Sequence, residues 1–138
     1  MLDFTSRFGR RVKRRLRTEK IIWLTTVDSR GTPQPRPVWF HWDGRTALIF
    51  SEPRAAKVRH IARHSKVALS FNTDADGDNV VVLIGDAVIL KGPPSAGRVK
   101  TYLRKYRQGI RDIGMTVPRF TAAFVTPIVV RPKAMRGY

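Results

Sequence analysis

The sequence contains no cysteine, which excludes a disulfide framework, a thiolate metal site and a thiol nucleophile. It also lacks a Gly-Lys-Ser/Thr phosphate loop and the Gly-x-Gly-x-x-Gly fingerprint of dinucleotide-binding folds. No apolar run is long enough to cross a bilayer, and no hydrophobic leader follows the basic start. These absences predict a cytoplasmic protein without a transmembrane segment.

Acidic residues are scarce: 10 Asp and Glu stand against 27 Lys and Arg, for a formal net charge of +17. Residues 1–20 hold eight basic and two acidic residues, so most of the excess lies beyond the N-terminus. Such a charge attracts a nucleic acid, an anionic membrane surface or an anionic cofactor. The aromatic residues are not interleaved with basic ones along one strand, as base stacking requires, so nucleic acid is the less favoured partner.

The 138 residues suffice for one domain with one core, and their 42% hydrophobic content is typical of globular proteins. Residues 1–20 are predicted to form a basic N-terminal helix, because apolar residues recur every fourth position from Phe4 to Leu16. Residues 21–138 are predicted to form a single β-rich domain. Its strands are expected over 21–27, 32–42, 45–51, 66–73, 80–90 and from Phe124 onward, and its helices over 53–64 and 96–113.

One glycine and one proline lead to further predictions about these strands. Gly85 indicates a bulge or bend that helps a long strand to close a barrel. Pro127 indicates a break or an edge in the last strand, because proline cannot donate to a ladder.

The stretch from Gln34 to Lys57 carries the features that point to a ligand. Prolines at positions 33, 35 and 37 remove three backbone donors from one side of a strand, so that side cannot be fully paired. Asp43-Gly44 predicts a tight hairpin turn between this strand and the next. The second strand ends at Ser51, and a helix is expected to begin near Pro53.

Basic residues surround the expected start of that helix. Its unpaired N–H groups carry a partial positive charge, and Arg54, Lys57 and Arg59 add to it beside the hydroxyl of Ser51. This pattern is typical of a phosphate or carboxylate site. The alternative is that Ser51 only caps the helix and that the basic side chains are solvated.

The order of these elements resembles the split β-barrel flavin and deazaflavin proteins of the pyridoxamine 5'-phosphate oxidase-like superfamily. The resemblance extends from about Arg17 to Gly137, and its most specific parts are Pro37-Val38-Trp39-Phe40 and Lys57-Val58-Arg59. Within the superfamily the chain is most similar to the actinobacterial branch that uses coenzyme F420, a deazaflavin. The resemblance implies a mainly β fold with helices (α+β), a six- to seven-stranded antiparallel split β-barrel that forms a homodimer.

The resemblance also implies a cofactor site at the dimer interface and hydride transfer between reduced F420 and a small organic substrate. The main chain of 37–40 would lie along the ring system, the helix start would hold the phosphate and tail, and residues 78–80 would come from the partner chain. No acid, base or nucleophile is implied, because the cofactor supplies the chemistry. The implied cofactor-binding residues are Gln34, Pro37, Val38, Trp39, Phe40, Ser51, Arg54, Lys57, Arg59, His60 and Asn79.

Two departures from the flavin-using oxidases argue against vitamin B6 oxidation. Ala55-Ala56-Lys57 stands where those enzymes have a Ser-Arg-Lys phosphate clamp, and their C-terminal signature with a Trp and Arg pair is missing from 125–138. FMN is therefore the second choice of cofactor, and haem or another tetrapyrrole the third. A cofactor carrier without turnover and a basic nucleic-acid-binding barrel are the non-enzymatic alternatives. No metal site is predicted, because His60 and His64 lack a third ligand at a suitable spacing.

Overall fold

One curled sheet of seven antiparallel strands forms the body of the computed structural model, which describes residues 2–138. The strands are β1 (Ile22–Val27), β2 (Pro33–Val38), β3 (His41–Trp42), β4 (Ala47–Ser51), β5 (Lys66–Ser70), β6 (Val81–Ile89) and β7 (Thr126–Gly137). Their spatial order is β2-β1-β5-β6-β7-β4-β3. The helices are α1 (Arg7–Thr18), α2 (Ala56–Arg63), α3 (Ala96–Asp112) and α4 (Val117–Ala123). The predicted antiparallel split-barrel architecture is confirmed.

Helix α1 is shorter than the predicted 1–20, and Met1 lies outside the described residues. Ser6 caps the helix, because its hydroxyl accepts a hydrogen bond from the N–H of Gly9 at 2.9 Å. Val12 and Leu16 are fully buried with the side chains of the sheet. The apolar stripe of α1 is therefore part of the main core, and most basic residues of the helix are exposed, whereas Arg15 is buried.

The strand predicted over 32–42 is wrong as one continuous element. Strand β2 ends at Val38 and pairs with β1, whereas β3 pairs with β4. These two strands are the opposite edges of the sheet, so the chain crosses between the edges at Trp39 and Phe40. The proline-bearing strand β2 pairs on one side only, as the loss of its donors predicts.

Side chains of α3 explain why the strand breaks at Phe40. The N–H of Phe40 donates to the hydroxyl of Tyr106 at 2.8 Å, and its C=O accepts from Lys105 Nζ at 2.9 Å. A backbone whose donor and acceptor are both bonded to side chains has no need of a neighbouring strand.

The predicted start of the second helix is also wrong. Helix α2 begins at Ala56 rather than near Pro53, and its N-cap residue, Ala55, makes no side-chain capping bond. A turn precedes the helix, since the N–H of Ala55 donates to the C=O of Glu52 at 3.2 Å. Ser51 lies in β4 and does not cap the helix.

The bulge predicted at Gly85 is confirmed by a register shift between Ile84 and Gly85. A Cβ at Gly85 would lie 2.1 Å from the C=O of Arg131, so the two backbones approach too closely for any side chain. Of the break or edge predicted at Pro127, the break is wrong, because β7 continues through this residue, which pairs with Phe50 of β4; the register with β6 starts at Ile128. Pro127 is tolerated there because it lies next to the strand's first residue.

Two groups of buried side chains divide the interior. The sheet core contains apolar side chains of α1, the ring of Phe40 and the inward side chains of most strands, such as Leu24, Leu69 and Ile128. The helical cluster consists of Tyr102, Tyr106, Ile110 and Phe120, with Trp39, Phe50, Leu103, Met115, Val117 and Phe124 packed against it. None of the helices described between residues 2 and 138 has the length and apolar character needed to span a bilayer.

Candidate functional site

A cavity of about 290 Å³, here called the strand-end cavity, opens where β2 ends. Nine of its ten lining residues are apolar or aromatic, and the remaining one is a lysine. The lining residues are Ile21, Pro37, Val38, Trp39, Phe50, Lys57, Tyr102, Ile113, Phe120 and Phe124. The cavity therefore combines a flat, apolar lining with a single positive charge.

The indole of Trp39 forms one wall of the strand-end cavity and is held by stacking. It lies parallel to the ring of Tyr106, with centroids 4.6 Å apart and planes 4° apart, and stacks on Phe120 at 5.6 Å. Gly109 of α3 faces the indole, since a Cβ there would lie 3.1 Å from its ring. The missing side chain lets the indole lie flat against the helix. A stacked, close-packed indole gives a ligand a preformed surface.

Among the described residues, Lys57 supplies the only charged side chain of the cavity. It is half-buried, and this burial is the main cause of its lowered pKa. The charge of Arg36 lowers the pKa of Lys57 further, while Glu52 opposes the shift. No carboxylate of residues 2–138 forms an ion pair with Lys57. A bound anion would therefore stabilise the charged form of this lysine.

Four of the eleven predicted site residues meet in this cavity: Pro37, Val38, Trp39 and Lys57. Phe40 lies beside it in sequence but belongs to the sheet core, with no exposed surface and both backbone groups bonded to α3. Ser51 is 1% exposed, and its hydroxyl donates to the C=O of Glu52 at 3.0 Å. The hydroxyl therefore stabilises the turn before α2.

Three further predicted residues, Arg54, Arg59 and His60, lie in α2 or just before it. Arg54 and Arg59 are exposed, and the guanidinium of Arg59 donates to the C=O of Arg54 at 2.7 Å. His60 Nδ1 lies 2.8 Å from the hydroxyl of Thr26, which is buried in β1. These contacts stabilise the segment before α2 and join the helix to β1, at positions close to Lys57 in the sequence.

The last two predicted residues lie outside the lining of the strand-end cavity. Gln34 Nε2 donates to Asp28 Oδ2 at 3.1 Å and so braces the turn between β1 and β2. Asn79 precedes β6 with a φ of 61°, and its C=O accepts from Arg15 of α1 at 2.8 Å. Within one chain, neither residue lines the cavity.

Sequence reasoning missed the contribution of α3 and α4 to the cavity. Tyr102 and Tyr106 are four residues apart on α3, so they share one face of the helix, and both are buried. The sequence offers no signal that Tyr102 and Phe120 meet the end of β2, because such contacts join residues far apart in the chain. The helical cluster itself is therefore a product of the tertiary fold.

A second unforeseen feature is the contact between α3 and the β3–β4 hairpin. Arg98 donates to the C=O groups of His41 and Thr46 at 3.0 and 2.8 Å and pairs with Asp43 at 3.3 Å. Burial lowers the pKa of His41, and the charges of Arg98 and Lys105 lower it further. These contacts anchor α3, which carries one wall of the cavity.

A larger cavity of about 780 Å³ lies between the loop after β6, α3 and α4. It is lined by residues such as Pro94, Leu103 and Arg107, and none of the eleven predicted residues borders it. The strand-end cavity is the better candidate, because the predicted strand end and the predicted cation both line it.

Comparison with known proteins places the chain in a family. The pyridoxamine 5'-phosphate oxidase family model matches residues 8–129, so the chain belongs to this family. No protein among those with curated descriptions matches the sequence significantly.

Solved structures with the same fold include proteins of several functions. An F420 reductase is 29% identical, with a TM-score of 0.69 over 90% of this chain and 94% of its own. A putative pyridoxamine 5'-phosphate oxidase from Listeria innocua is 19% identical, with a TM-score of 0.69 over 92% of this chain and 94% of its own. The haem storage protein HutZ from Vibrio cholerae is 13% identical, with a TM-score of 0.65 over 96% and 95%. At 19% and 13% identity, the Listeria and Vibrio structures show only that the fold is shared.

Proposed function

We propose that this chain binds coenzyme F420 in the strand-end cavity and is an F420-dependent oxidoreductase acting on a small organic substrate. The observation that carries the proposal is the convergence of the end of β2 and Lys57 on one apolar cavity. The F420 reductase that is 29% identical over nearly the whole chain supports the choice of a deazaflavin. When bound, F420 supplies the hydride chemistry, and the protein binds, orients and shields the ring.

The residues of the cavity fit the two parts of such a cofactor. Pro37, Val38 and the stacked Trp39 offer a flat apolar surface that suits a planar ring system. Lys57, which lacks a carboxylate partner in the described chain, suits the phosphate of an anionic tail. Arg54 and Arg59 are exposed nearby in sequence and would extend this positive region along the tail.

We infer that a second copy of the chain completes the site. At about 290 Å³ the cavity lies near the lower end of the roughly 300–1,000 Å³ that small-molecule pockets span. Ile113 lines it and is 52% exposed, and Val125, next to the lining residue Phe124, is 55% exposed. Apolar surface of this kind around a site is typical of an interface. The partner's residues 78–80, including Asn79, are the proposed contributors.

The binding test uses the intrinsic fluorescence of F420 titrated with purified protein, with FMN and haem titrated in parallel. We expect micromolar or tighter binding that favours F420, and at least about tenfold weaker binding for Lys57→Ala, because a charge-assisted contact is lost. Lys13→Ala is the matched control: it removes an exposed lysine from another helix and should change the affinity less than about twofold.

Three outcomes would contradict this proposal. Absence of F420 binding, or a preference for FMN or haem, would overturn the choice of cofactor. Equal weakening by Lys57→Ala and Lys13→Ala would show that binding follows net charge rather than this cavity. Binding without oxidation of the reduced cofactor by any of a panel of small electron acceptors would favour a carrier over an enzyme.

A further inference from the structure

A second cavity, of about 260 Å³, lies between α1, β3 and α3 and is here called the cationic cavity. It shares no lining residue with the strand-end cavity. Three of its residues are basic: Arg17 from α1, and Arg104 and Lys105 from α3. None of the acidic residues between positions 2 and 138 lines it. Cations from two separate helices therefore converge on a concavity that the proposed F420 site does not use.

Ion pairs within the described residues do not balance the charge of these three cations. None of the ion pairs formed within residues 2–138 includes Arg17, Arg104 or Lys105. The nearby Glu19 is paired with Arg15 at 3.0 Å. Like charges gathered without a counterion repel one another, and a bound anion removes this repulsion.

Lys105 holds a defined position in the cavity. Its ammonium donates to the C=O of Phe40 at 2.9 Å and lies 3.9 Å from the centroid of the Phe40 ring. The side chain is half-buried; its pKa is lowered to about 8, chiefly by burial and also by the charge of Lys20, while Glu19 opposes the shift. A lysine already held by one acceptor and one ring can point its remaining hydrogens at a ligand without much loss of entropy.

The cavity also has an apolar wall. Leu16 is fully buried beside it, and the indole of Trp42 is half-buried and packs edge-on against Phe4 at 6.1 Å. His41, the remaining ionisable residue of the lining, has a pKa lowered chiefly by burial, which favours its neutral form. The lining therefore suits a ligand with an anionic end and an apolar or aromatic end.

We propose that the cationic cavity binds a phosphate ester, with the phosphate between Arg17, Arg104 and Lys105 and its organic group against Trp42. A phosphate monoester carries about −1.5 to −2 charges at pH 7, which matches three cations better than a single carboxylate does. The planar guanidinium forks of the two arginines fit the spacing of phosphate oxygens.

Phenyl phosphate is the probe, added to the full chain without F420, so that the test does not depend on the proposed cofactor. Titration calorimetry at constant ionic strength measures the affinity, and the indole N–H signal of Trp42 in NMR spectra locates the site. We expect phenyl phosphate to bind more tightly than inorganic phosphate, benzoate or phenol. Arg17→Gln and Arg104→Gln should each weaken binding at least about fivefold, because each removes a charged hydrogen-bond donor.

Lys13→Gln is the matched control, since it removes an exposed cation of α1 that does not line the cavity. The affinity of Lys13→Gln for phenyl phosphate should stay within about twofold of the wild-type affinity. Both arginines are exposed, so their variants should fold even if a Lys105 variant does not. The proposal is overturned if both arginine variants bind like the wild type, if benzoate binds as tightly as phenyl phosphate, or if Lys57→Ala removes the binding.

Discussion

The sheet core is built mainly from aliphatic side chains, most of them on strands that pair with one another, whereas the helical cluster is built mainly from aromatic rings of α3 and α4 around Trp39. In the first region, backbone ladders and side-chain burial support each other. In the second, packing of rings and a few polar contacts hold the helices in place. The sheet core therefore determines the fold, and the helical cluster shapes the strand-end cavity.

Phe40 is one of the residues that connect the two regions. Phe40 buries its ring in the sheet core, while its backbone is bonded to Tyr106 and Lys105 of α3. The hydroxyl of Tyr106 also donates to the C=O of Lys20 at 2.8 Å, just before β1. Because the wall of the cavity depends on these few bonds, it can be altered without unfolding the sheet.

Truncation in the sheet core should give the largest effect. Leu69 is fully buried in β5, and Leu69→Ala should lower the free energy of unfolding by about 2–5 kcal/mol through lost burial and a cavity. Leu103 of the helical cluster is only partly buried, so Leu103→Ala should cost less. Denaturant unfolding measures both values. An equal cost for the two variants would contradict the division into a structural core and a site-forming cluster.

Removal of the Tyr106 hydroxyl, which bonds to Phe40, should give an intermediate loss of stability. Tyr106→Phe leaves the buried N–H of Phe40 without its acceptor, which should cost about 1–3 kcal/mol of unfolding free energy. The stacked indole of Trp39 should lose order, so we also expect a shift of tryptophan fluorescence and weaker F420 binding. Tyr138→Phe, at a residue that is 66% exposed, is the control and should change none of the three. Unchanged stability in Tyr106→Phe would show that the hydroxyl does not join the two regions.

The pH dependence of stability should give the smallest effect. The pKa of Lys105 is about 8 in the folded chain, below its ordinary value of 10.5, because of burial and Lys20, with Glu19 opposing the shift. His41, Arg17 and Arg104 line the same cavity and add no negative charge. Between about pH 8 and 10 the unfolded chain binds more protons at this position, so the free energy of unfolding should rise with pH.

Lys105→Met should reduce this rise, and Lys13→Met, at an exposed lysine, should not. Denaturant unfolding at several pH values between 7 and 10 measures the difference between each variant and the wild type. An identical pH dependence in wild type and Lys105→Met would show that the ammonium keeps its ordinary pKa.

The parts of the fold that could be predicted are those with local signals. Alternating apolar residues located most strands, helical spacing located α3, and Gly85 marked the bulge. The errors fall where distant residues decide the backbone. The strand over 32–42 breaks because Tyr106 and Lys105 bond to Phe40, and Pro127 stays in a strand because it pairs with Phe50 of β4.

The residues of the candidate site also divide into those that local signals predicted and those that distant contacts bring to the cavity. Pro37, Val38, Trp39 and Lys57 were predicted from one stretch of chain, and they line one cavity. The hydroxyl of Ser51 was expected beside them but bonds to Glu52, because α2 begins later than the proline suggested. Tyr102 and Phe120 reach the same cavity from sequence positions with no local link to it.

The sequence by itself determined the β-rich character of the chain, the excess of positive charge and the segment that carries both a strand end and a cation. These properties follow from residue spacing and composition, which act over a few neighbouring residues. Only the tertiary structure decided which backbone groups stay free, which lysines lack a carboxylate partner and which rings form the walls of each cavity. Those features depend on contacts between residues far apart in the chain, such as Phe40 with Tyr106, and packing of the whole chain sets them.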